Sequence, residues 1–130
     1  MAKIIGMNGG GKKKLEQKFE NVNTIIVDEV SMIGCAALAK ISHQLAMAKH
    51  VTSDPFGGID ILFFGDFIQF TPIHDAPLYD AWKKGPLISP KTKYEENKLK
   101  GMELWRQVNQ IIFLDEQMRV TDQRYQDLLN

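Results

Sequence analysis

Three short apolar runs, each leading into an acidic residue or a Gly-Asp pair, constrain the fold of this chain more than any other feature. They occupy residues 24–27 before Asp28, 61–64 before Gly65 and Asp66, and 110–114 before Asp115. Continuous apolar runs of this length read as strands buried on both faces, which implies a parallel sheet covered by helices. Between the first two, Gly34, Leu38, Ile41, Leu45 and Ala48 recur at three- and four-residue steps. This spacing predicts a helix over 31–49 with a single apolar stripe, its start capped by Ser31. Strand, helix, strand is a βαβ unit with a right-handed crossover, and the fold class is α/β. Helical patterns return at 102–108 and 122–129. From 74 to 101, Pro77, Gly85, Pro86, Pro90 and Gly101 punctuate the chain, and the expectation is a long loop or insertion carrying Trp82 and Tyr94.

With 130 residues, 44% apolar and 25% charged, the composition is that of an ordinary globular domain, and one domain is the default. The 16 Lys and Arg balance the 16 Asp and Glu, so any attraction to nucleic acid must come from a local patch. Residues 83–103 offer one, with six Lys (83, 84, 91, 93, 98 and 100) against three Glu (95, 96 and 103), although such runs are usually solvated faces. The lone Cys35 excludes an internal disulfide framework and suits a cytosolic or nuclear setting. No apolar run approaches the roughly 20 residues that span a bilayer, so no membrane crossing is expected. At the start, MAKIIGMNGGGKKK places its basic run after its apolar stretch, unlike a secretory signal, and the beginning looks like a cut.

The strongest chemical signal is TIIVDEVSM, residues 24–32. In open α/β sheets ligands sit at the carboxyl ends of strands, where Asp28 and Glu29 fall. A nucleotide-hydrolysing site needs one carboxylate for Mg²⁺, usually through water, and a second to orient or deprotonate the attacking water. An Asp-Glu pair can equally begin a loop and favour the dipole of the next helix, so the pair alone decides nothing. In ILFFGDFIQFTPI, residues 61–73, a second run ends in Gly65 and Asp66, with Gln69 three residues on. Glycine allows a sharp turn, and a glutamine there can touch a γ-phosphate, against the plainer reading of a polar turn closed by Pro72. Beyond the third run, Arg119 can stabilise charge developing on a transferred phosphoryl group, or simply pair with a surface carboxylate.

Together these stretches resemble the petite integration frequency (PIF) DNA helicases of helicase superfamily one, particularly the copies in eukaryotic genomes and Helitron-type transposons. IIVDEVSMIG is similar to the family's second motif, GDFIQFTPI to its third (usually GDxxQLPPV), and LWRQVNQIIFLDEQMRVTDQRYQDLL to the pattern around its fourth. The resemblance runs from Phe19 to Leu129. It implies a partial RecA-like P-loop NTPase domain, three-layered with a mainly parallel sheet, and a piece of a 5′-to-3′ ATP-dependent DNA helicase. By this resemblance Asp28 serves Mg²⁺, Glu29 the attacking water, Gln69 the γ-phosphate and its coupling to DNA movement, and Arg119 is the arginine finger. Gly65 and Asp66 belong to the same nucleotide-binding set. The implied cofactors are ATP and Mg²⁺, the implied partner is single-stranded DNA, and the implied roles are DNA repair, recombination and telomere maintenance in nucleus or mitochondrion.

Phe70 and Thr71 depart from the family's Leu and Pro. The first motif, G-x-x-x-x-G-K-[ST], belongs well upstream, and a second RecA-like domain downstream. Gly6, Gly11 and Lys12 do satisfy G-x-x-x-x-G-K, but Lys13 stands where a Ser or Thr hydroxyl should reach Mg²⁺, and a protonated amine cannot ligate a metal. A flexible glycine turn is the expectation there. In the family fold the phosphate-loop strand lies between those of the third and fourth motifs, so without it the sheet should have a gap. The isolated chain is therefore expected to be inactive unless another chain supplies the missing segments. The alternatives are a truncated single-stranded DNA-binding module using Trp82, Tyr94 and nearby lysines, or a non-functional transposon remnant. His43, His50 and His74 lack partners at zinc-ligand spacing, Cys35 reads as packed, and Met32, Met47 and Met118 read as core fillers.

Overall fold

A computed structural model of the chain describes residues 9–83 and 89–116. In chain order they form helix α1 (Gly9–Phe19), strand β1 (Thr24–Val27), a 3-10 turn (Val30–Met32), helix α2 (Cys35–Lys49), a 3-10 turn (Pro55–Gly58), strand β2 (Asp60–Phe63), a 3-10 turn (Leu78–Trp82) and helix α3 (Lys93–Arg106). The βαβ unit is present as expected: β1 and β2 pair in parallel, Thr24 opposite Asp60 and Val27 opposite Phe63, with α2 between them in sequence.

The strands are not buried on both faces. Ile25, Val27, Ile61 and Phe63 are half-buried, whereas Ile26 (68%), Leu62 (49%) and Phe64 (48%) are exposed. Side chains alternate across a strand, and the core built by α2 and α3 reaches Phe63's face, leaving the other face open among the described residues. The expected third strand, 110–114, is not a strand. Ile111, Ile112, Phe113 and Leu114 are 74–86% exposed, because a buried strand needs a neighbour and the described sheet has only two strands.

Helix α2 begins at Cys35, later than the expected Ser31, which lies in the preceding 3-10 turn. Gly34 at its N-cap has no side chain to offer. Asp75 does the capping instead, its carboxylate accepting from the N–H groups of Ala36 (3.2 Å) and Ala37 (2.9 Å). Of the predicted stripe, Leu38, Leu45 and Ala48 are buried. At the far end Lys49 Nζ donates to the carbonyls of Phe19 (3.3 Å), Glu20 (3.0 Å) and Val22 (3.2 Å), holding the C-terminal end of α1.

The segment 74–101 is not one long loop. It contains the Leu78–Trp82 turn and most of α3, which starts at Lys93 and absorbs the helix expected at 102–108. Its start carries a capping box, with Glu95 N–H donating to Thr92 Oγ1 (3.2 Å) and Thr92 N–H to Glu95 Oε2 (3.1 Å). The helix packs on α2 through Gly101, where a Cβ would collide with the Cys35 backbone. Val30, Cys35, Leu38 and Leu78 form the buried centre, with Phe63, Met102 and Trp105 packed around it. Met32, expected in the core, is 55% exposed. The glycines 9–11 start α1 instead of forming a turn. The helix expected at 122–129, Arg119 and Met118 lie outside the described residues.

Candidate active site

Where β1 ends, Asp28 and Glu29 are both exposed. Asp28 Oδ1 accepts the Glu29 N–H at 2.9 Å, a local bond that fixes the carboxylate against its own turn. Glu29 adopts φ 54°, ψ 47°, a left-handed conformation that a side chain takes up only when its surroundings require it. The requirement comes from β2. Val30 N–H donates to the Phe64 carbonyl (2.9 Å) and Phe64 N–H to the Val27 carbonyl (2.8 Å), so the two strand ends remain joined one step beyond the sheet. Gly65 follows with φ 144°, and a Cβ there would lie 2.8 Å from Val30 N and 3.4 Å from the Glu29 carbonyl carbon. Glycine at this position lets the two turns touch.

Past Gly65, Asp66 Oδ1 accepts the Ile68 N–H (2.8 Å) and the Asp66 carbonyl accepts the Gln69 N–H (3.3 Å). Asp66 and Gln69 are exposed on this turn, beside the Asp28–Glu29 turn at the carboxyl end of the parallel pair. The structure thus brings together the turns that carry Asp28, Glu29, Gly65, Asp66 and Gln69. Arg119 lies outside the described residues, as does Gly6. Gly11 and Lys12 belong to α1. Asp28 keeps Oδ2 without a protein partner among the described residues, and a carboxylate oxygen of this kind suits a hard cation such as Mg²⁺. Ser31 is 4% exposed, and its hydroxyl has no hydrogen-bond partner among the described residues.

Two features of this region were not readable from the sequence. Asp75 closes the start of the helix that follows the carboxylate turn, and it also accepts the Tyr94 hydroxyl (3.2 Å). Burial first, and then Asp75's charge, raise the Tyr94 pKa above the usual phenol value. Phe67, inside the glutamine turn, packs against Tyr79 and Trp105. Only the paired apolar and aromatic character of these positions hinted at such contacts.

Residues 9–128 match the family model described as PIF1-like helicase. The chain belongs to the PIF1-like helicase family. Among curated relatives, the ATP-dependent DNA helicase PIF1 of Saccharomyces cerevisiae (strain YJM789) is 32% identical over 99 residues, covering 62% of this chain and 11% of that protein. The ATP-dependent DNA helicase PIF7 of Trypanosoma brucei brucei is 28% identical over 123 residues, covering 92% and 11%. The ATP-dependent DNA helicase PIF1 of Rattus norvegicus is 30% identical over 103 residues, covering 74% and 15%. This PIF1-like chain therefore spans a small part of the length of these relatives. No solved structure matches it. Its parallel strands and helices are consistent with a partial RecA-like domain of a PIF1-like helicase. No described helix is long and apolar enough to cross a membrane.

Proposed function

We propose that this chain is part of the first RecA-like domain of a 5′-to-3′ ATP-dependent DNA helicase, contributing the carboxylate pair and the glutamine turn of its nucleotide site. The observation that carries the reading is the close packing of Gly65 on the Glu29–Val30 peptide, which sets the two turns side by side at the carboxyl ends of parallel strands. In this reading Asp28 would hold Mg²⁺, and Glu29 orients the attacking water and accepts its proton. Gln69 senses the γ-phosphate. Arg119 completes the site as the arginine finger. Mg²⁺, when bound, neutralises charge on the β- and γ-phosphate oxygens. Single-stranded DNA is the polymer moved, and nuclear or mitochondrial DNA maintenance, including repair, recombination and telomere upkeep, is the proposed setting.

Phosphoryl transfer depends on positioning and electrostatics, so two carboxylates without a phosphate cradle do not suffice. The 130-residue chain alone should hydrolyse ATP no faster than buffer in the presence of Mg²⁺ and single-stranded DNA. A chimera in which residues 9–128 replace the matching stretch of a full-length relative should hydrolyse ATP and lose that activity with Glu29→Gln. A folded chimera without turnover, or one indifferent to Glu29→Gln, refutes the reading.

The alternative of an independent DNA-binding patch has less support. Trp82 and Tyr94 are exposed, but Lys83 pairs with Asp80 (2.6 Å), and Lys93 (3.1 Å) and Lys100 (2.8 Å) both pair with Glu96. Hydrogen bonds from Lys100 and Lys93 hold the Glu96 carboxyl below the usual range, and three of the lysines are engaged with carboxylates.

A further inference from the structure

Among the described residues, the turn carrying Gln69 has two internal hydrogen bonds, from the Ile68 N–H to the Asp66 carboxylate and from the Gln69 N–H to the Asp66 carbonyl, both in an exposed segment. Bonds so placed open readily in water. What else holds the turn is Phe67. Its ring meets Tyr79 edge-on, with centroids 5.9 Å apart and planes at 89°, and meets Trp105 at 5.8 Å and 77°. Trp105 is in turn edge-on to Phe63 of β2, at 5.2 Å and 72°. These are the favoured geometries for aromatic pairs, the positive ring edge facing a negative ring face.

The bracket is anchored from behind. Arg106 Nε at the end of α3 donates to the Ala81 carbonyl at 2.7 Å, tying the helix that carries Trp105 to the 3-10 turn that carries Tyr79. Lys83 Nζ lies 5.9 Å from the centre of the Tyr79 ring while paired with Asp80. Trp105 also packs on the buried core. Tyr79 from the Leu78–Trp82 turn and Trp105 from α3 thus converge on a side chain two positions from Gln69, and Phe63 at the strand end packs against Trp105.

We propose that Tyr79 and Trp105 are positioning residues for the Asp66–Gln69 turn, acting through Phe67, and that seating this turn is what the Leu78–Trp82 turn and α3 contribute to the nucleotide site. This rests on the reading of Gln69 as the γ-phosphate contact. The Leu78–Trp82 turn and α3 then clamp the third-motif turn, and removing the clamp loosens Gln69 while leaving the strand pairing intact.

Amide hydrogen exchange resolved by residue tests the clamp on the 130-residue chain without nucleotide. The Ile68 and Gln69 amides should be protected relative to open peptide. Phe67→Leu should speed their exchange about tenfold, the size expected from losing two edge-to-face pairs, while the Val30 and Phe64 amides keep their rates. Phe67→Tyr, which retains the ring, should restore protection. Open-peptide rates at Ile68 and Gln69 in the parent chain, or equal acceleration at turn and sheet in Phe67→Leu, overturn the proposal. In the chimera, Phe67→Leu should lower kcat about tenfold with KM for ATP little changed, and an unchanged kcat also overturns it. A chimera inactive before substitution, beside a protected turn in the chain, counts against the helicase function and not against the clamp.

Discussion

A methyl group added at Gly65 would stand 2.8 Å from the Val30 amide nitrogen and 3.2 Å from Val30 Cγ1, in a backbone with φ 144° that side chains rarely adopt. Gly65→Ala must therefore push the glutamine turn away from the carboxylate turn and strain its own backbone. The expected cost is about 2 kcal/mol of stability. Urea unfolding of the two chains checks it, and a midpoint equal to that of the parent would show that the two turns are free to separate.

Asp75 caps α2 from outside the helix and accepts the Tyr94 hydroxyl, so it links α2, α3 and the segment between them. Asp75→Ala should destabilise the chain by about 1–2 kcal/mol, and Asp75→Asn by less because one acceptor oxygen remains. Thermal unfolding orders the three proteins: parent, then Asn, then Ala.

Burial, followed by the charges of Asp75 and Asp80, pushes the Cys35 thiol up to about 11. A raised folded pKa means the folded state holds its proton more tightly than the unfolded chain. Its stabilising contribution is complete below about pH 9 and is lost as pH rises toward 11. Stability measured from pH 8 to 11 should fall in the parent more than in Cys35→Ala. At pH 8 the native thiol should resist iodoacetamide, whereas denaturant-unfolded chain reacts at the rate of a free cysteine.

The Ser31 hydroxyl is buried without a partner among the described residues, a condition that costs free energy. Ser31→Ala removes that cost while keeping the small volume. It should raise stability by about 1 kcal/mol, seen as a higher melting temperature. A fall of similar size would mean that the hydroxyl is satisfied by an ordered water.

The βαβ unit and the two turns at its carboxyl end were legible because apolar runs, a stripe at helical steps and polar residues at strand ends are local signals. The start of α2 was misread because the capping group is not Ser31 but Asp75, which no short window connects to the helix. α3 was hidden differently. Its Thr92–Glu95 capping box stands in the sequence, yet half of the helix is Lys, Glu and Asn, and the prolines before it suggested a loop. Residues 111–114 read as a strand because they are apolar, but apolarity selects a strand only where a neighbouring edge can pair with it. The Phe67 bracket could not be read at all, since Tyr79 and Trp105 reach it from separate elements.

The cap on α2 has a consequence for timing. Ala37 and its acceptor Asp75 are 38 residues apart in the chain, so the first turn of the crossover helix stays open until β2 and the Gly-Asp turn have already been made. Closing so long a loop is slow compared with winding a helix. During synthesis, the helix behind the carboxylate pair therefore matures last at its own beginning, and the carboxylate turn is braced from behind only when the sequence just past the glutamine turn has emerged.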